Sequence, residues 1–215
     1  MKTKAVIFDL DGTLVDTLAD IADACNHILS QEGWPTHSLD AYRRFVGGGA
    51  RALVERALPS DAGLEVDRIL ECFRAHYHAH LIVKSAPYPG IDALLHALCS
   101  QQLPLAILSN KPHTMVLDVA KHFFKTTPFV AVQGQVPEIP KKPNPTSVLS
   151  IADTMALPPA QIAYVGDSDV DIATGRAAGM CAIGVDWGFR GRSELEACGA
   201  DHVLTCPADL LKLVG

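Results

Sequence analysis

The sequence predicts an α/β protein: a doubly wound, mostly parallel sheet with a small α-helical domain inserted after the first strand. Three observations carry that prediction. The apolar run Ala5-Val6-Ile7-Phe8 leads straight into Asp9, as a buried strand ending at a sheet rim would. From Ile91 onward, short apolar runs alternate with helical stretches, the signature of parallel βα units. In between, the chain carries only helical periodicity, which reads as an insertion lying over the rim. The expected division is a core of residues 1–15 and 85–215 and a helical cap of residues 16–84.

Taken in order, the first strand ends at Asp9, and Gly12 lets the chain turn. Thr17-Leu18-Ala19-Asp20 has the form of a capping box opening a helix, with Leu18, Ile21, Cys25, Ile28 and Leu29 on one face. Gly33-Trp34-Pro35 stops it, and Ala41–Phe45, Ala50–Leu58 and Val66–Leu81 follow as amphipathic helices. Ser85-Ala86-Pro87-Tyr88-Pro89-Gly90 marks the return, and Ile91, Leu94, Leu95 and Leu98 make the next helix face. Pro104–Leu108 is a strand ending at Ser109-Asn110, and Pro112 opens a helix reaching about Phe123. A short strand at Phe129–Val132, a helix opened by Pro145, and a strand at Ile162–Val165 ending at Gly166-Asp167 come next. Val170–Ala178 is helical, Cys181–Val185 is a strand, and Val203-Leu204 is an edge strand.

The 215 residues suffice for one sizeable domain or a domain with a smaller insert, and 48% hydrophobic against 20% charged suits a globular protein with a real core. A net charge of −6 with no basic run argues against nucleic acid as a partner. No apolar run is long enough to span a bilayer, so no membrane is expected. Six scattered cysteines without Cys-x-x-Cys spacing, and no signal peptide, read as reduced thiols in the cytoplasm. A monomer or homodimer is expected.

Residues two apart in extended chain point the same way, so Asp9 and Asp11 are aimed into one crevice and repel. A cation must hold them together, and Mg²⁺ is the oxygen-seeking choice. A carboxylate such as Asp9 can attack phosphorus and leave an aspartyl-phosphate, and Asp11 can serve as general acid and base. Gly166-Asp167 at a strand end, with Asp171 four residues on, suits the other half of the metal site. Thr13 either supports this loop or is a turn hydroxyl. Ser109-Asn110 ahead of a helix offers a hydroxyl and backbone N–H groups to an anion, or simply caps that helix.

In the insertion, Gly47-Gly48-Gly49-Ala50-Arg51 opens a helix. Its start can take an anionic carboxylate, with Gly48 lending backbone and Arg51 a charge; the alternative is a plain interhelix loop with a surface arginine. His76, His78 and His80 lack an acid or cysteine at ligand spacing and read as surface histidines. Trp187-Gly188-Phe189-Arg190 reads as a loop packed on the core.

The run Phe8-Asp9-Leu10-Asp11-Gly12-Thr13-Leu14-Val15-Asp16-Thr17 resembles the nucleophile motif of the haloacid dehalogenase-like hydrolases, in their phosphoglycolate-phosphatase-like branch. Ser109-Asn110, Lys142-Pro143-Asn144-Pro145 and Gly166-Asp167-Ser168-Asp169-Val170-Asp171 match its other motifs in order. The resemblance implies a Rossmann-like core with a helical cap. It implies Asp9 as nucleophile, Asp11 as acid/base, and Lys142 as the charge offsetting repulsion from the phosphate. Ser109 and the Asn110 N–H would bind the transferred phosphoryl group. Mg²⁺ would sit on Asp9, the Asp11 carbonyl and Asp167, with Asp171 behind them orienting Lys142 or a metal-bound water. The expected function is Mg²⁺-dependent hydrolysis of a small phosphorylated metabolite, with 2-phosphoglycolate leading. Pyrophosphate hydrolysis, sugar-phosphate hydrolysis and hexose-phosphate mutase chemistry are rivals, as is a non-catalytic binding protein on the same fold.

Overall fold

Six parallel strands form the sheet, in the order β5-β4-β1-β6-β7-β8. They are β1 (Ala5–Phe8), β4 (Leu105–Pro112), β5 (Phe129–Gln135), β6 (Ile162–Gly166), β7 (Cys181–Val185) and β8 (His202–Leu204). The structure, a computed structural model, describes residues 3–60, 62 and 65–214; the expected outer ends of the core, residues 1 and 215, lie outside these. β1 is central, pairing Val6 with Leu105 on one side and with Ala163 on the other. The chain winds outward from β1 in both directions, so a crevice opens at the carboxyl ends of β1, β4 and β6.

The two faces of β1 bury different cores. Val6 and Phe8 pack with α5 (Ile91–Ser100) and α6 (His113–Phe123), while Ala5 and Ile7 pack with α7 (Thr146–Thr154). Burial on both faces is why these strands read as unbroken apolar runs. On the outer half, α8 (Asp169–Ala177) and α9 (Arg192–Ala197) place Ile172 and Leu195 against Ala182 of β7.

Between β1 and α5 come α1 (Leu18–Gln31), α2 (Leu39–Phe45), α3 (Ala50–Ala57) and α4 (Val66–Ala79). Leu18, Ile21, Cys25, Ile28 and Leu29 of α1 are buried, as their spacing predicts, against Leu53, Ile69 and Phe73 among others. Each fully buried side chain of this size contributes roughly 1.5–3 kcal/mol, so packing rather than propensity holds these short helices. The helical segment is entered and left through a two-stranded antiparallel ribbon, β2 (Val15–Asp16) and β3 (Ala86–Pro87), which pairs Val15 with Pro87 and Asp16 with Ala86. Strands of two residues carry no readable period, and the sequence does not announce them. Among the described residues no helix is long and apolar enough to cross a membrane.

The start of α1 is a correction. Thr17 makes no side-chain cap bond there. Its hydroxyl donates instead to Asp11 Oδ1 at 2.7 Å. Asp20, buried, accepts the backbone N–H groups of Val83, Lys84 and Ser85 at 2.8–3.0 Å and the Ser85 hydroxyl at 2.6 Å. Both side chains of the expected capping box are thus drawn into tertiary contacts. A true capping box opens α8, between Ser168 and Asp171. β4 and β5 also run longer than expected, to Pro112 and Gln135, because the two strands keep pairing beyond their apolar runs.

Candidate active site

The rim residues converge because each follows a strand of the same parallel sheet. Asp9 follows β1, its N–H held by the Val165 carbonyl of β6 at 2.8 Å. Asp167 follows β6, and Ser109, Asn110 and Lys111 extend β4. Lys142 comes from the loop before α7, and Asp171 from the first turn of α8.

Lys142 is the hub. Its Nζ lies 2.7 Å from Asp171 Oδ1 and 3.0 Å from Asp9 Oδ1, and it also donates to the Leu108 carbonyl at 3.3 Å. Asn110 fixes the lysine's main chain: its Oδ1 accepts the Lys142 N–H at 2.9 Å and its Nδ2 donates to the Lys142 carbonyl at 3.1 Å. The same Nδ2 donates to the Gly47 carbonyl of the helical segment at 3.0 Å. The second Asp171 oxygen accepts the Ser168 hydroxyl at 2.6 Å and the Ser168 N–H at 3.1 Å. Asp171 is therefore spent on orienting Lys142 and Ser168.

Asp9 and Asp167 are less committed. Asp9 Oδ1 takes the Leu10 N–H at 2.7 Å and the lysine, which leaves Oδ2 without a hydrogen-bond partner among the described residues. Asp167 accepts the Phe189 N–H at 2.7 Å and the Thr13 hydroxyl at 3.5 Å. Its carboxylate is squeezed by backbone: a Cβ on Gly12, whose φ is +82°, would stand 2.4 Å from Asp167 Oδ2, and one on Gly188 would stand 2.3 Å from Asp167 Cβ. Only glycine fits at either place.

Asp11 is held through Oδ1, by Thr17 and by Lys111 Nζ at 2.9 Å. The Lys111 ammonium also donates to the Tyr77 hydroxyl of α4 and lies 4.6 Å from the centre of that ring. Burial works against the charge on Lys111, but Asp11 and Tyr77 outweigh it and hold the lysine above its usual value.

Charge balance states what the cluster lacks. Asp9, Asp167 and Asp171 lie with one carboxylate oxygen each within 4.8 Å of one another, all buried. With Asp11, four acids stand against two lysines, Lys111 and Lys142. Burial pushes the Asp9 carboxyl up to about 7 against the pull of Lys142, with Asp171 and Asp11 adding to the rise. Burial, then Asp171 and Asp9, push Asp167 well above the usual carboxylate range. Burial likewise opposes the Lys142 ammonium, yet Asp171 and Asp9 keep it well above its ordinary value and charged. An all-oxygen donor set short of two positive charges fits a hard divalent cation.

A family model described as haloacid dehalogenase-like hydrolase matches residues 6–185. The chain belongs to that family. The phosphoglycolate phosphatase of Chromobacterium violaceum is 35% identical, over 98% of this chain and 96% of its own length. The one from Aquifex aeolicus is 34% identical with the same coverage, 98% and 96%. A solved Lactobacillus delbrueckii subsp. bulgaricus structure, assigned as a phosphoglycolate phosphatase, covers 100% of both chains with 30% identity and a TM-score of 0.93.

In this hydrolase, Asp9, Asp11, Ser109, Asn110 and Asp167 all line one cavity between the sheet rim and the helical segment, and Lys142 reaches it through Asp9. Thr13 touches Asp167 through its hydroxyl and receives Trp187 Nε1 on its carbonyl at 3.1 Å. Two expected members stand apart. Arg51 is about half exposed and pairs with Asp67 and Glu55. Gly48 gives its carbonyl to Lys141 at 2.6 Å, while its neighbours Gly47 and Gly49 line the cavity. The phase of α3 turns Arg51 toward α4, where it pairs with Asp67.

Four contributors escaped the sequence reading. Lys111 sits where the chain was expected to have left the strand; a lysine kept buried inside an extended β4 is the signal that would have marked it. Tyr77 and Arg74 of α4 line the cavity, hidden in an ordinary amphipathic stripe. The Phe189 N–H comes from the loop expected only to pack on the core, and that ring is indeed buried. The histidines behave as surface groups: His27, His76 and His80 stack at 4.0 and 4.2 Å along α1 and α4. Among the described residues, the only grouping of three metal-type side chains is the aspartate cluster.

Proposed function

We propose that this protein is a Mg²⁺-dependent phosphatase hydrolysing a small phosphomonoester through an aspartyl-phosphate on Asp9, with 2-phosphoglycolate the leading substrate. The observation that carries the reading is the pairing of an uncommitted Asp9 Oδ2 with a charge-deficient acid cluster at the mouth of one cavity. The family and the names of its relatives support the same chemistry.

Mg²⁺, held by Asp9, Asp167 and the Asp11 carbonyl, would neutralise charge on the transferring group. The chain's own residues do the rest. Ser109 receives a phosphoryl oxygen, and Lys142, staying charged and fixed through Asn110 and Asp171, offsets the repulsion between Asp9 and the incoming phosphate. Asp9 Oδ2 attacks phosphorus as the ester P–O bond breaks, and protonated Asp11 gives its proton to the departing alkoxide. Asp11, now a carboxylate, takes a proton from a water that attacks the aspartyl-phosphate. That step releases phosphate and restores Asp9. Thr17 and Lys111 hold Asp11 through Oδ1 only, which leaves Oδ2 for these transfers. The helices of residues 16–84 act as the cap, closing the cavity against bulk water.

A screen of phosphorylated metabolites with Mg²⁺, run beside Asp9→Asn, tests the reading. Phosphate release by the wild type and none by the variant is expected. Retained turnover in Asp9→Asn would remove the covalent step.

A further inference from the structure

Lys111, near the end of β4, and Arg74, on α4, are two cations lining the cavity. Lys111 Nζ is a three-donor ammonium with two donors placed, on Asp11 Oδ1 and the Tyr77 hydroxyl. The third is free among the described interactions. Arg74 lies three residues before Tyr77, on the same side of α4, and lines the cavity with no ion pair or hydrogen bond among the described residues. Around them the wall is apolar: Ile21, Leu53, Phe73 and Met115.

We infer that Lys111 and Arg74 form the subsite that reads a carboxylate on the leaving group. This rests on the phosphatase reading above and names the residues that would select a carboxylate-bearing substrate at that site. Lys111 reaches only a short leaving group, because its Nζ is 2.9 Å from the acid that protonates the ester oxygen. A carboxylate meeting the third Lys111 donor therefore sits one or two carbons from that oxygen. Arg74, planar and forked, suits the outer edge of the same carboxylate. Tyr77 couples the two, since its hydroxyl positions the ammonium and its helix carries the guanidinium.

The experiment compares kcat/KM for 2-phosphoglycolate and for phenyl phosphate, whose leaving group has no carboxylate, in wild type, Lys111→Met and Arg74→Gln. The expected result is a fall of about 10- to 100-fold in the 2-phosphoglycolate/phenyl phosphate ratio for Lys111→Met, the size of a lost charge-assisted contact. Arg74→Gln lowers the ratio by about three- to tenfold, mainly through KM, as a more exposed charge does. Parallel losses on both substrates would overturn the proposal, since Lys111 would then act only by holding Asp11. A wild type that turns over phenyl phosphate but does not favour the carboxylate substrate also overturns it, while leaving the phosphatase reading intact. A wild type inactive on every phosphomonoester fails that reading instead. Should Lys111→Met not fold, inhibition by glycolate decides: competitive inhibition that weakens in Arg74→Gln supports the subsite, and no inhibition of the wild type overturns it.

Discussion

The sheet rim and the helical segment above it face the same cavity, yet they hold their charged side chains in opposite ways. On the rim, Lys142 is 3% exposed and tied at both its ammonium and its main chain. On the helices, Arg51 is 49% exposed and pairs only with neighbours on α3 and α4. A rim residue is fixed by the strand it follows, by the strands on either side, and by loops too tight for a Cβ. A helical residue is fixed by the rotation of its helix, which a hydrophobic stripe sets only to within a residue or so.

The most severe way to test that contrast is to remove the nucleophile. Asp9→Asn is expected to lower kcat by about four orders of magnitude or more, measured as phosphate release, because the groups around it act as one unit. Lys142→Met comes next. It strands Asp9 and Asp171 without their shared cation, and both activity and stability should suffer, the latter by about 3–5 kcal/mol in urea unfolding. Asp20→Ala breaks the junction between the two regions without touching the site. Three backbone N–H groups lose a buried acceptor, and a loss of about 2–4 kcal/mol is expected by the same measurement.

A subtler test is electrostatic. Without metal, burial raises the Asp9 pKa from the ordinary aspartate value, about 4, to about 7. Between those values the folded chain binds more protons than the unfolded one, so stability falls as pH rises. Below about 4 the unfolded Asp9 is protonated too, and the favourable contribution of the protonated acid is complete. Above 7 it is gone. Metal-free wild type should therefore lose Tm relative to Asp9→Asn between about pH 4 and 7, and Mg²⁺ at pH 8 should restore it. The smallest effect belongs to Arg51→Ala, whose kcat/KM should stay within about threefold of wild type, since exposed ion pairs contribute little.

How much of this was legible in the sequence follows the same division. Asp9, Asp11 and Asp167 could be placed because an acid directly after an apolar strand has one place to go. Lys142 could be placed only through the spacing of the prolines after it, since nothing in a lone lysine says that it is buried. Lys111 was passed over because strand β4 continues through polar residues, held by pairing with β5 rather than by an apolar pattern. That Arg51 faces Asp67 while Arg74 lines the cavity was not legible, because which side of an inserted helix meets the rim is decided by packing between helices, not by the helix itself. Thr17 and Asp20 fit a local capping pattern, but partners outside the helix displace it: Asp11 in the preceding loop for the threonine, and residues 83–85, far along the chain, for the acid.

The ribbon of β2 and β3 carries one more implication. Residues 16 and 86 face each other across two strands, so everything threaded between them is a single excursion that starts and finishes at one doorway. Splicing Asp16 to Ala86 through a tight turn leaves every strand of the main sheet in its existing order. The length of that whole excursion is thus independent of the order of strands that brings Asp9, Asp167 and Lys142 together.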